Sequence, residues 1–547
     1  MRSSLAWTTC WVSVAACHGV QGTQIDADRE ELSTFDCVEK TDRILVQRDC
    51  SAFEAADGWA GHHDDGQTTR GGADADLAHV FLVQKRSELI SALYPDAVIA
   101  ADGSFTSDAG ADPTPKLILV AGSLELSADG QDVPIGFEAL RDAAYDFAAY
   151  VEAYKPSVWN ADPANINPMN NKPNRVSGPL ESAREASAQR QAAVVQIAVG
   201  SNTTLLGVRG ATLQHGSLVV PAGVDNVIIR NLRFEDAFDH FPTWDPSDSF
   251  VVDESQPGCQ TTYVDAQTGP QRCPGGRWNS DYDNVQINGG THVWIDHCTF
   301  SDGAREDHRY PSVFASPHVG YDYLIQHHDG AVDVTGTSNF VTVSYSHFKN
   351  HDKTHLFGSS DTATEANGFG ALSITAHHNH YENAGQRLPR VRFGKVHVYD
   401  NYYQGTVGYL GQYAPTDDSV VPANRFLYGI GIGYLAKIYA ESNVFDVQGA
   451  DGITVDDQVL FFNWHKAAPD SGDTLDVGQS TYLYAADTRL NGQSRDLFAA
   501  ANAAAAESGR PVLQDTAAIW DPADDYPYNL DEASQVKARV TRLAGAH

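Results

Sequence analysis

The chain reads as an all-β solenoid, a right-handed parallel β-helix carrying helical and loop insertions, and three observations support that reading. After residue 195 short apolar alternations recur, each ending in Asn, His or Ser and an aromatic: NVIIRNLRF (226–234), HVWIDHCTF (292–300), FVTVSYSHF (340–348), LSITAHHNHY (372–381), VHVYDNYY (396–403) and KIYAESNVF (437–445). The closing aromatics Phe234, Phe300, Phe348, Tyr381, Tyr403 and Phe445 fall mostly near multiples of about 22 residues, a period proper to stacked repeats. The Phe348–Tyr381 step breaks the pattern and calls for a loop insertion. Finally, the Asn-Gly or Asp-Gly turns that a sandwich of hairpins needs between most strands are scarce. Each unit is then a strand, a tight polar turn and a second strand. Stacked units bury their aliphatic side chains and align like residues in ladders, and the asparagines suit the left-handed conformation of the turns.

Taking the chain in order, residues 2–17 carry Arg2 and then an apolar stretch ending in small residues, so residues 1–22 are assigned to an export signal. Val14-Ala15-Ala16-Cys17 also matches a bacterial lipobox, which would lipidate Cys17 and hold the chain at the cell surface; secretion is the expected outcome. No later run is long enough to span a membrane. Residues 23–77 are polar, acidic and without sustained periodicity, and read as an extension or linker. In an exported protein Cys37/Cys50 and Cys259/Cys273 are the natural disulfide pairs, while Cys298 reads as a buried apolar residue. Residues 78–547 form the β-helix domain. Within it FLVQKRSELISAL predicts a strand then a helix, KLILVAGSLEL (116–126) a strand and its successor, and residues 136–195 a helical insertion packed on a sheet.

The formal charge of -34, from 71 acids against 37 bases, excludes nucleic acid as a partner. It also repels a polyanionic sugar at long range, so any such ligand must be held locally, by a few Lys and Arg and a bound cation. A monomer is expected of an elongated acidic solenoid.

The residues for such a site are present. Asp329 and Asp333 stand four apart in a strand-like segment, with Ala331 between them on one face. With Asp283 from an earlier coil they supply three hard oxygen donors, and Asp281 is a fourth candidate. Calcium takes six to eight such oxygens and tolerates irregular geometry. RLPRVR sets Arg387, Arg390 and Arg392 around Pro389, which holds the motif extended; Arg390 is expected to point away from Arg392. Guanidinium forks suit carboxylates. The histidines lack an HExxH motif and read as turn and cleft residues. A GxSxG elbow and a phosphate-binding glycine loop are both absent.

The segments WDPSD (244–248), WNSDYDNVQINGGTHVWIDHCTFSDG (278–303), HHDGAVDV (327–334), VTVSYSHFKNHDKTHLFGSSD (341–361) and QRLPRVRFGKVHVYDNYY (386–403) make the chain resemble polysaccharide lyase family 1, the calcium-dependent pectate lyases. The resemblance runs from about residue 78 to the C-terminus and implies cleavage of polygalacturonate by β-elimination. It puts the primary calcium on Asp283, Asp329 and Asp333, with Asp281 as an auxiliary ligand. Lys353 of HDK corresponds to the lysine that contacts the substrate carboxylate, Arg387 to the proton-abstracting arginine, and Arg392 to its substrate-binding partner. Three rivals stand beside it. A pectin lyase, acting on methyl-esterified substrate, has no need of the aspartate set. A β-helical hydrolase requires an NTD…DD cluster that the chain lacks. A non-catalytic calcium-dependent pectin-binding protein has little reason to keep both Lys353 and Arg387.

Overall fold

The computed structural model describes residues 56–61, 68–168, 172–248, 275–315, 318–319, 323–408, 426–450, 452–466, 469, 472–474 and 480–547, together with four short strands, Asp36–Lys40, Ile44–Arg48, Tyr263–Asp265 and Gly269–Gln271. The expected export signal and the bonds of Cys37/Cys50 and Cys259/Cys273 lie outside the described residues. Cys298 is a free, fully buried thiol.

Three parallel sheets wind into a right-handed β-helix. The first sheet begins at Val80–Val83 and continues through Lys116–Glu125, Thr203–Gln214, Asp225–Arg230, Thr291–Asp296, Asn339–Ser344, Ile374–His377, Lys395–Tyr399, Lys437–Glu441 and Tyr482–Ala486. Lys116–Glu125 and Thr203–Gln214 run on into the second sheet, which continues through Arg233–Glu235, Thr299–Ser301, His347–Lys353, His380–Gln386, Tyr402–Val407, Val444–Gly449 and Thr488–Leu490. The third sheet holds Gln196–Ala198, Ser217–Pro221, Val285–Asn288, Val332–Thr335, Leu356–Phe357, Arg390–Val391, Ile430–Ile432 and Phe461–Asn463.

Like residues align from coil to coil. Val227, Val293, Val341, Ile374, Val396, Ile438 and Leu483 make one buried row of the first sheet. The six closing aromatics form a continuous interior stack, Phe234–Phe300–Phe348–Tyr381–Tyr403–Phe445, with successive ring centroids 4.9, 4.8, 5.3, 4.8 and 4.1 Å apart. Phe234 and Phe300 are therefore neighbours, although their separation in sequence is three nominal repeats. The long intervals are single coils enlarged by loops, not runs of several coils. The interruption expected between Phe348 and Tyr381 is the loop of residues 358–373.

The corner from the first sheet to the second spans two residues in most coils, and its first position is left-handed. Asn231, His297, Tyr345, His378, Asp400, Ser442 and Asp487 occupy it in successive coils, each with φ between 43° and 54°. The asparagines mostly take the following position instead. There Asn379, Asn401 and Asn443 each accept, through Oδ1, the backbone N–H of the preceding coil (Ser346, Asn379 and Asn401; 2.9–3.2 Å). Their Nδ2 groups donate to the carbonyls of Val343, Ala376 and Val398. The sharp corner leaves buried backbone groups without ladder partners, and an amide side chain supplies both missing functions.

Arg86–Leu93 closes the N-terminal end of the core and Leu497–Glu507 the C-terminal end, through Leu89, Ile90, Leu93, Leu497 and Ala501. Such caps cover edges that would otherwise pair with other chains. Part of the stretch read as an extension docks on the first sheet. Trp59 N–H donates to Thr375 Oγ1 and Ala60 N–H to Thr342 Oγ1, while the Trp59 ring stacks on Trp520 at 6.0 Å.

The insertion of 136–195 is helical at Phe137–Leu140, Phe147–Tyr154, Pro156–Trp159 and Pro179–Val195. It packs with Trp244, Trp278 and Tyr282 into a second apolar cluster. Arg184, oriented by a buried ion pair with Glu181 of the same helix (2.8 Å), donates from Nη1 to the Phe241 carbonyl and so ties the last helix to the loop that leads to Asp281 and Asp283. Phe348→Ala removes the middle ring of the interior stack and is expected to cost about 3–5 kcal/mol, read from the denaturant midpoint.

Candidate active site

Four consecutive strands of the third sheet, Val285–Asn288, Val332–Thr335, Leu356–Phe357 and Arg390–Val391, are each preceded by a turn that carries site residues. Asp283 lies before the first, Asp329 before the second, Lys353 before the third and Arg387 before the fourth. Backbone bonds lock these turns together: Asn284 N–H donates to the Gly330 carbonyl, Ala331 N–H to Thr354, Thr354 N–H to Gln386 and His355 N–H to Arg387. Expected site residues scattered over a hundred positions thus become neighbours, one coil apart.

Asp283 Oδ1 accepts the Gly330 N–H (2.7 Å) and Asp333 Oδ1 the Leu356 N–H (2.8 Å). Both side chains are buried. Ala331 does not share their face: it is fully inside the core, because the chain turns at Gly330 and strand alternation begins only with Val332. Asp329 is partly exposed and pairs with the buried Lys353 ammonium at 2.5 Å. Burial, then repulsion from Asp329, pushes the Asp283 carboxyl up to about 7. Burial and the charges of Asp283 and Asp329 push Asp333 well above the carboxylate range. Asp329 is also opposed by burial, but Lys353 and Arg387 prevail and hold it below its ordinary value.

This donor set fits a hard cation. Three carboxylates sit where two of them resist ionisation for want of positive charge, and a Cβ at position 330 would lie 2.3 Å from Asp333 Oδ1 and 2.7 Å from Asp283 Oδ1. Glycine at that point keeps the space between the oxygens open. The three aspartates do not each bring an oxygen within 4.8 Å of the others; among the described residues the groups that do so are His347/His380/Glu382 and His378/Asp400/Asp531. The Lys353 ion pair turns Asp329 aside. Asp281 is exposed, and its backbone N–H donates to Oδ2 of the buried Asp239 (3.2 Å). Asp239, which the sequence did not single out, is raised to about 7 by burial and by Asp281.

Arg387 is half-buried and has a φ of 59°, and the Leu388–Pro389 peptide is cis. The motif is therefore not extended throughout: it bends to bring Leu388 into the core. Burial pulls the Arg387 proton off, but Asp329, Tyr428, Asp333 and Asp352 outweigh it and raise its pKa. Arg390 and Arg392 share the outer face with Val391 inward, the reverse of the expected opposition, because residues two apart on a strand point the same way. Arg390 lies over the Trp464 ring at 4.3 Å. Arg392 is held by Asp361 (2.5 Å) and the Gly358 carbonyl (2.8 Å). Glycines 358, 431 and 433 leave room for both arginines, each lacking a side chain that would come within 3.1 Å of one. Trp464 and Tyr428 were illegible in the sequence, since Tyr428 arrives from the next coil and Trp464 from the one after it.

The cleft histidines brace loops. His328 bridges Asp307 (2.8 Å) and Asp236 (2.9 Å), and His351 binds Asp302 (2.6 Å).

Against known proteins, the chain is 35% identical over 492 residues to a pectate lyase of Bacillus subtilis, covering 90% of this chain and 91% of that one. It belongs to the pectate lyase family. A family profile described as pectate lyase matches residues 260–463, the stretch that holds every residue named above for the cation and for Lys353 and Arg387. Among solved structures, a pectate lyase from Acidovorax avenae subsp. citrulli superposes with a TM-score of 0.74 at 35% identity, over 90% of this chain and 95% of that one. A pectate lyase bound to a hexasaccharide superposes with a TM-score of 0.67 at 34% identity, over 90% of this chain and 96% of that one. The family accounts for the β-helix and makes the chain a lyase acting on polysaccharide.

The raised Asp283 and Asp333 carboxyls set a pH dependence. The folded chain binds more protons than the unfolded one from the ordinary carboxylate pKa up to about 7, so stability falls as pH rises through that window. Metal-free protein is expected to melt lower at about pH 8 than at about pH 5.5, and Asp283→Asn to flatten that difference in a calorimetric scan. Equal slopes for both chains would remove Asp283 as the source.

Proposed function

We propose that this pectate lyase cleaves polygalacturonate outside the cell by calcium-dependent β-elimination, leaving 4,5-unsaturated ends. The convergence of Asp283, Asp329 and Asp333 with Lys353 and Arg387 on four adjacent coils carries the reading. Asp283, Asp329 and Asp333 would hold calcium, with Asp281 at the rim. When bound, calcium supplies positive charge shared with the uronate carboxylate and draws electron density from C5.

The chain's own groups do the rest. Lys353 is placed to give the carboxylate a second positive contact, and Arg392, fixed by Asp361, to present its remaining N–H groups to the next sugar. Arg387 takes the C5 proton. The C–H electron pair forms the C4–C5 double bond and the glycosidic oxygen leaves C4.

An arginine is a poor base unless something lowers its proton affinity. Here the proton is retained by Asp329, Tyr428, Asp333 and Asp352 against the pull of burial. Two of those four, Asp329 and Asp333, are proposed cation ligands, so neutralising them lets burial weigh more heavily toward the uncharged guanidine. Cation binding and base activation are thereby the same event, and a rate that rises into alkaline pH follows.

Ultraviolet absorbance of polygalacturonate digests is expected to grow only with calcium, to vanish with chelator, and to fall by at least about a thousandfold for Arg387→Ala. New reducing ends without absorbance would mean hydrolysis and overturn the mechanism. Gly330→Ala is expected to weaken calcium activation by at least about tenfold while leaving circular dichroism unchanged, since its Cβ enters the space between Asp283 and Asp333.

A further inference from the structure

A second group of ligands lies on the far side of the coils from the cleft turns, at the corner between the first and second sheets. His378 and Asp400 occupy that corner in adjacent coils, both in the left-handed conformation, with φ of 52° each. Their side chains therefore leave the coil in the same direction. Asp531 comes from the C-terminal segment, just before the helix Ala533–Leu543, and its backbone N–H donates to Asp400 Oδ2 (2.9 Å). His378 is 5% exposed and Asp400 wholly buried. His378 Nε2 stands 3.4 Å from Asp531 Oδ2 and 3.6 Å from Asp400 Oδ2, and His378 Nε2, Asp400 Oδ1 and Asp531 Oδ2 all lack hydrogen-bond partners.

We propose that His378, Asp400 and Asp531 bind a structural divalent metal of the zinc class, which pins the C-terminal segment to the β-helix. The spacing fits. Ligand atoms at about 2.0–2.2 Å from a tetrahedral zinc stand roughly 3.3–3.6 Å from one another. The imidazole selects a first-row ion over calcium or magnesium, for which an all-oxygen set would serve.

The tautomer argues the same way. His378 Nδ1 lies 2.8 Å from His377 Nδ1, and His377 Nε2 lies 3.0 Å from Asp57 Oδ2. The Asp57 carboxylate favours a proton on His377 Nε2 by its charge at that distance, although the two atoms are not in hydrogen-bond geometry; with the proton there, His377 Nδ1 is an acceptor and His378 donates from Nδ1. His378 Nε2 is then a bare lone pair facing two carboxylate oxygens, an arrangement that repels unless a cation stands between them. The Tyr345 ring, stacked on His378 at 4.5 Å, fixes the imidazole plane. Around the group the charges are Asp57, Asp400, Glu441 and Asp531 against Arg539, which binds Asp531 Oδ1 at 2.7 Å. Negative charge is in excess. The alternative counter-charge is a proton, making His377 an imidazolium.

This differs from the His347/His380/Glu382 group, where His347 Nε2 already bonds Glu382 Oε2 at 3.0 Å. The clamp requires nothing of the cleft, so its test is independent of the elimination mechanism.

Metal content of the full chain, measured by elemental mass spectrometry after exposure to zinc and desalting, is expected to be one equivalent in wild type and in His380→Ala, and none in His378→Ala or Asp531→Asn. Zinc added to chelator-treated wild type is expected to raise the melting temperature by roughly a few degrees, with no such rise in Asp531→Asn, and cobalt to give visible ligand-field bands. His377→Ala should weaken zinc binding about 10–100-fold without abolishing it. Wild type that stays metal-free, or metal lost in His380→Ala and kept in His378→Ala, overturns the assignment. A metal-free wild type would leave the protonated imidazole as counter-charge. If a variant fails to fold, the zinc and cobalt titrations of wild type alone decide whether a site exists.

Discussion

Each coil exchanges backbone hydrogen bonds with the coil on either side, so a residue and its counterpart one turn later stand about 4.8 Å apart. That spacing governs everything else in the molecule. It stacks the rings from Phe234 to Phe445, lines up the amides of Asn379, Asn401 and Asn443, and brings the turns bearing Asp283, Asp329, Lys353 and Arg387 side by side. The cleft residues sit on or directly beside strands of the coils, with Asp281 on the loop that leads into one. Each is an outer position of a coil whose inner position is locked in the core, as Asp333 is between Val332 and Val334. Positioning of this kind needs little additional ordering when a ligand arrives.

The same stacking concentrates charge. In a chain of net charge -34, acids at equivalent outer positions of neighbouring coils cannot avoid one another. Where they converge in the cleft, two are pushed toward neutrality and the third is rescued by Lys353. A cation bound there, as proposed, would relieve that repulsion and weaken the field that keeps Arg387 protonated. At the corner of His378 and Asp400 the ladder creates a second concentration of the same sort, closed by Asp531 from the C-terminal segment. One structural rule thus produces both a cleft suited to an anionic polymer and a buried point of attachment for the chain's end.

Insertions supply what the ladder cannot. The coils are enlarged between the second and third sheets, in the connections that carry Asp283 and Asp329. The helices of 137–195 buttress the loop ahead of Asp281 through Arg184, Glu181 and the Trp244/Trp278 cluster. Residues 56–61 lie across the first sheet on the opposite side, where Trp59 meets Trp520.

The aromatic-terminated alternations determined the fold class and chose the interior row correctly, because side chains of period two must commit one face to the core. The motifs around HHDGAVD, HDK and RLPRVR likewise named a set of residues that the coils do gather. Coil counting was not legible: a loop of any length can leave and rejoin a turn at small entropic cost, so the interval from Phe234 to Phe300 looked like three repeats and is one. Nor were the left-handed corner residues, since Tyr345, His378 and Asp400 adopt that conformation under the constraint of the stack rather than by propensity. The facing of Arg390 and Arg392, the inward turn of Ala331 and the partnership of His378 with Asp531 were decided by tertiary structure alone. Each depends on which residue of a neighbouring coil or tail occupies the adjoining space, and a linear sequence does not record that.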